Sequence, residues 1–102
     1  MKNFGNFGGG TPNMQQLMKQ AQEAQKQMEK AKEELAETSI ESTAGGGMVT
    51  VEMSGAYEMI NLRIKPEAVD PDDVEMLEDL IIAAINEAIK QVGILRDEKL
   101  PM

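Results

Sequence analysis

Lysines and carboxylates are the side chains of this sequence whose types and spacing could do chemistry, because His, Cys and Trp are all absent. That absence excludes an imidazole base, a thiolate nucleophile, a zinc or haem site and a Ser-His pair. The pairs Asp72/Asp73 and Glu78/Asp79 could act as acid and base or hold Mg²⁺. Their place in the opening turns of an amphipathic helix makes capping and solubility the better account. Gly8 to Gly10 and Gly45 to Gly47 lack the Lys-Ser/Thr of a phosphate loop and flank no strand-loop-helix unit, so they read as tail and turn. The nine Met read as adaptable core filler rather than as ligands. No catalytic residue, metal set or cofactor is expected.

The lysines of the N-terminal third carry more information. The chain has 10 Lys+Arg against 18 Asp+Glu, a formal net charge of −8, which taken alone argues against a nucleic-acid partner. Charge is unevenly placed, however. Residues 1–32 hold five lysines against two glutamates, a net +3, whereas residues 33–102 hold five basic and sixteen acidic groups, a net −11. For Lys19, Lys26, Lys30 and Lys32 an ordinary solvated face is the plainer reading, and contact with phosphates the sharper one.

The elements that must carry these residues follow from apolar spacing. Residues 1–10, MKNFGNFGGG, read as a disordered tail, a floppy terminus on the plainer reading and a segment docking Phe4 and Phe7 onto a partner on the sharper one. Thr11-Pro12 is a helix start. Met14, Leu17, Ala21, Ala24, Met28, Ala31 and Leu35 then recur at alternating steps of three and four, the a and d positions of a coiled-coil heptad. Lys19 and Lys26 fall at f, opposite this seam, and Lys30 at c beside them. A helix from Pro12 to Glu37 is roughly 40 Å long, more than the body of so small a domain, so part of it is expected to project.

After Glu37 the period changes to two. Thr38–Ala44, Met48–Ser54 and Tyr57–Ile64 read as a three-stranded antiparallel meander, turned at Gly45-Gly46-Gly47 and at Ser54-Gly55-Ala56. Val49, Val51 and Met53 share one face of the middle strand, and Ile60, Leu62 and Ile64 one face of the third, and this face of the meander is expected to be buried and the other solvated. Asp70-Pro71 predicts a second helix from Pro71 to about Val92, with Gly93 as its break and Ile94 to Met102 as a weaker turn or tail. On that helix Leu77, Leu80, Ile81, Ala84 and Ala88 form one apolar stripe, and Ile82, Ile85 and Ile89 a second. The sheet covers one, and a second copy of the chain is the simplest cover for the other. Leu77, Leu80, Ile81, Ile82, Ile85 and Ile89 are thus the candidate core and dimer residues.

The predicted fold is α+β in the order αβββα: a tail at residues 1–10, one domain at 11–102, and a homodimer with projecting helices. No stretch approaches the roughly 20 apolar residues of a membrane span, and no signal-peptide core precedes the domain. With no cysteine, the chain reads as cytoplasmic. An acidic body does not veto contact by a basic arm, since Lys19 stands roughly 27 Å along the helix from Glu37, about three screening lengths at physiological salt.

Leu17-Met18-Lys19-Gln20-Ala21-Gln22, Gly47-Met48-Val49-Thr50-Val51 leading to Ser54-Gly55-Ala56, and Met76-Leu77-Glu78-Asp79-Leu80 followed by Ala83-Ala84, Asn86 and Ala88 resemble the YbaB/EbfC family of bacterial nucleoid-associated proteins. The resemblance runs from about Met14 to Val92. It implies a small α+β homodimer with tweezer-like helices, DNA binding at the nucleoid and no enzymatic activity. It also implies DNA contacts from basic residues of the terminal helices, here Lys19, Lys26, Lys30 and Lys32, with Lys90, Arg96 and Lys99 near the C-terminus. Scarce arginine and an acidic C-terminal half argue against strong or sequence-specific binding, and the six Gln of the arm, a residue type that reads base edges, are as readily explained as solubilising. The rival reading is a protein-interaction module whose heptad helix pairs with a replication or recombination component.

Overall fold

Thr38 is where the helical period ends, and its own groups close the helix. Its N–H donates to the Leu35 carbonyl at 3.1 Å and its hydroxyl to the Glu34 carbonyl at 2.8 Å, satisfying acceptors that a helix C-terminus leaves open. The computed structural model describes residues 11–100. Its elements are α1 (Thr11–Glu37), β1 (Ser39–Ala44), β2 (Val49–Ser54), β3 (Met59–Ile64), a 3-10 turn (Pro66–Ala68) and α2 (Val74–Lys99). This is the αβββα order that the spacing predicts. The expected tail at residues 1–10, with Phe4 and Phe7, lies outside the described residues.

Between Lys30 and Ala31 the chain divides into two compact units. In the first, the described side chains of α1 are exposed except for Met28, which is half-buried. The second holds the last turns of α1, the sheet and α2. The sheet is antiparallel in the order β1-β2-β3, with Ser42 opposite Val51 and Val51 opposite Leu62. Helix α2 lies across β1 and β2. Val49, Val51 and Met53 meet Ala84, Ala88 and Val92 in a fully buried cluster, with Leu77, Leu80, Ile81 and Ile85 packed around it. Burial of each valine stabilises by about 1.5–3 kcal/mol. The alanines let the helix sit close enough for the buried Ser42 hydroxyl to donate to the Ala84 carbonyl.

The structure corrects three sequence expectations. Helix α2 begins at Val74 rather than Pro71, because the Asp73 carboxylate accepts from Met76 N–H as the N-cap. Asp70 instead accepts from Asp72 N–H within the preceding turn. Gly93 does not end the helix, which continues to Lys99. Val92 on one side is fully buried and Arg96 on the other reaches back to the sheet, and these contacts outweigh the ~1 kcal/mol that a mid-helix glycine costs. Finally, β3 is not buried as a face of the meander: Ile60 is 54% and Leu62 42% exposed. A register shift at Glu52/Met53 sets Met59 opposite Met53, and α2 covers only β1 and β2.

Candidate nucleic-acid interface

Helix periodicity decides which lysines can act together. At about 100° per residue, Lys19, Lys26 and Lys30 fall within roughly 40° of one line along α1. They span eleven residues, roughly 16 Å of axis, and all three are exposed. Met14, Leu17, Ala21, Ala24 and Met28 centre on the opposite side of the helix, so the basic stripe and the apolar seam do not compete. Glu23 lies at the edge of the stripe, one turn from Lys19 and from Lys26, and an exposed pairing of this kind contributes ~0.5 kcal/mol or less. Glu29 and Glu33 stand three residues from Lys26 and Lys30 in the same way, and all of these side chains are exposed.

The other candidate cations are dispersed. Lys32 is exposed but falls about 140° from the Lys19 line, on the seam side. On α2, Lys90 and Lys99 are exposed and nine residues apart, which sets them about 180° around the helix from each other. Lys99 borders a hollow with Ala31, Glu34, Leu35, Thr38 and Leu95. Arg96 serves the fold itself: its Nη1 donates to the Gly55 carbonyl at 2.8 Å, and its guanidinium carbon stands 5.3 Å from the Tyr57 ring centre.

That arginine meets a turn built for close approach. Gly55 N–H donates to the Thr38 carbonyl at 2.8 Å, and a Cβ on Gly55 would stand 2.4 Å from the Leu35 carbonyl oxygen. The left-handed residue of this turn is Tyr57, at φ 64°, stabilised where the Ser54 hydroxyl accepts from Ala56 N–H at 3.1 Å and Glu58 N–H at 3.2 Å. Two cations that the sequence reading passed over, Arg63 and Lys65, border a shallow hollow with Gly47, Thr50, Ile64 and Pro66. Their alternate spacing, which puts both on one face of an extended chain, was the available signal. Arg63 pairs with Glu41 at 3.2 Å, with both side chains more than half exposed. Among the described residues no group of three or more His, Cys, Asp or Glu could hold a metal ion, and no helix is long and apolar enough to cross a membrane.

The model of the YbaB/EbfC DNA-binding family matches residues 9–101. The chain belongs to this family. Similar curated relatives are named nucleoid-associated proteins: one from Alkaliphilus metalliredigens is 57% identical over 80% of this chain and 72% of its own length. Another from Chloroflexus aurantiacus is 52% identical over 86% of this chain and 88% of its own. Among solved structures, an uncharacterized protein from Helicobacter pylori aligns with a TM-score of 0.74 at 27% identity, over 82% of this chain and 88% of that one.

Proposed function

We propose that this protein is a non-enzymatic, nucleoid-associated DNA-binding protein of the cytoplasm, acting as a homodimer whose N-terminal helices carry the phosphate contacts. The observation that carries the reading is the alignment of Lys19, Lys26 and Lys30 on an exposed helix face in a chain of a DNA-binding family. Lys32, Lys90 and Lys99 add charge from other directions, whereas Arg96 acts mainly within the protomer. The homodimer is supported by apolar surface on the second unit. Met59, Ile60 and Leu62 on edge strand β3, and Ile82 and Ile89 on α2, are each more than two-fifths exposed. A free apolar edge strand is a template for pairing with another chain.

Replacing Lys19, Lys26 and Lys30 together by Gln tests the assignment. If each lysine of a homodimer meets one phosphate, six contacts vanish and the slope of log K against log salt falls by about 5. The melting temperature should not change, because none of the three side chains is buried. An unchanged slope would place the contacts elsewhere. A second reading, pairing of the heptad seam with a replication or recombination protein, draws on Met14, Leu17 and Met18, which are 60–62% exposed. Protein partners captured from lysate after nuclease treatment would favour it.

A further inference from the structure

The sheet face turned away from α2 has a charge pattern of its own. Val51 is buried against α2, so Thr50 and Glu52, its neighbours along β2, point to the other side. The register sets Thr43 and Arg63 on either side of Thr50, and Glu41 and Asn61 on either side of Glu52. Past the end of β3 the pairing continues, because Lys65 N–H donates to the Met48 carbonyl at 2.9 Å and Lys65 is still extended. Lys65 therefore shares a face with Arg63, roughly 6.6 Å further along the chain, and both are exposed. Among the cations of residues 33–102 this is the pair that can act together: Arg96 is held by Gly55 and Tyr57, and Lys90 and Lys99 point apart. The hollow beside the pair is lined by Gly47, Thr50, Arg63, Ile64, Lys65 and Pro66, with no carboxylate among them. Lys65 forms no ion pair among the described residues, and the single contact of Arg63, with Glu41, is exposed and readily exchanged.

We propose that Arg63 and Lys65 form a second contact for the phosphates of duplex DNA, on the sheet rather than on α1; this rests on the DNA-binding reading above. The arginine offers several donors in a planar fork and the lysine a point charge, a combination suited to successive phosphates of one strand. The Thr50 hydroxyl is a further donor on the same rim, and Ile64 and Pro66 give the deoxyribose an apolar surface. Gly46 and Gly47 have nothing within 4 Å of where a Cβ would stand, so the turn beside the pair leaves room for a bulky backbone. The acidic remainder of residues 33–102 does not forbid the contact, since charges beyond about 8 Å are largely screened at physiological salt. Glu41 is the competitor that a phosphate displaces from Arg63.

The test is a salt titration of duplex binding by the full-length chain carrying Arg63→Gln and Lys65→Gln together. Four contacts per homodimer are lost, so the slope of log K against log salt should fall by roughly 3.6, while the charge-conserving pair Arg63→Lys and Lys65→Arg keeps the parent slope. A glutamine chain whose slope stays within about 1 of the parent's would overturn the proposal and leave the α1 contacts standing. A parent chain with no salt-dependent binding would instead overturn both. A second comparison separates local contact from the field of the whole molecule. Glu41→Gln frees Arg63, whereas Asp97→Asn removes the same charge next to Arg96, at the Gly55 end of the sheet. Glu41→Gln should strengthen duplex binding at least threefold more than Asp97→Asn, and equal gains would overturn the proposal. Inorganic phosphate at matched ionic strength distinguishes a free anion from the duplex. A melting temperature raised by phosphate in the parent but not in the glutamine chain, with duplex slopes equal in the two, would assign the hollow to free phosphate and overturn the DNA contact.

Discussion

Alanine at Gly55 and alanine at Gly93 should move the melting temperature in opposite directions. At Gly55 the new Cβ would stand 2.4 Å from the Leu35 oxygen, 2.9 Å from its carbonyl carbon and 3.1 Å from its Cα. All three are backbone atoms at the end of α1, so no flexible side chain can give way. Relaxed C–H···O contacts begin near ~3.3 Å, so the turn must retreat by about 0.9 Å. That movement stretches the 2.8 Å bond from Gly55 N–H to Thr38 and disturbs the 2.8 Å bond from Arg96 to the Gly55 carbonyl. Steric strain of about 1–3 kcal/mol and a weakened hydrogen bond of about 1 kcal/mol give a loss of about 3 kcal/mol. For a domain of this size that corresponds to a fall of about 12 °C or more. At Gly93 the added Cβ meets only the Tyr57 hydroxyl, at an ordinary 3.6 Å, while helix propensity improves by about 0.8 kcal/mol, a rise of about 4 °C. Both melts are recorded by circular dichroism at one protein concentration, since association shifts the midpoint. A Gly55→Ala chain that melts within about 3 °C of the parent would refute the close-approach argument.

Two further substitutions separate structural from binding roles. Arg96→Ala should lower the melting temperature, because the chain loses a charge-assisted hydrogen bond and a contact with Tyr57, together about 2 kcal/mol, while the salt dependence of DNA binding stays as in the parent. A slope smaller by about 2 per homodimer at unchanged melting temperature would make Arg96 a phosphate contact instead. Leu62→Lys should convert a homodimer into a species near the 11.2 kDa chain mass in light scattering. A mass near twice that value would move the dimer contact away from β3.

Local patterns made the element order readable, and non-local ones did not. The step-three and step-four spacing and the Gly45 to Gly47 turn each depend on neighbours in sequence, and each stands in the structure, the one as α1 and the other as the β1–β2 hairpin. Two aspartates competed for the start of α2, and only tertiary placement lets Asp73 cap it while Asp70 closes a turn. Alternation along β3 shows which residues share a face but not whether a helix reaches far enough to cover it. The role of Gly55 depends on Leu35, twenty residues away, and that of Arg96 on Gly55, forty-one residues away. Of the candidate site, the Lys19, Lys26 and Lys30 alignment was legible because a helix repeats itself locally. The dispersal of Lys90 and Lys99 around α2 follows from the same periodicity once the helix is known to continue through Gly93.

The most direct measurement of the central claim is a fluorescence-anisotropy titration of a labelled duplex with the full-length chain at 50 and 200 mM salt. Six lysine-phosphate contacts per homodimer predict that affinity falls about 10³-fold between the two conditions. Binding that is absent at 50 mM salt, or equal at both concentrations, would contradict the account.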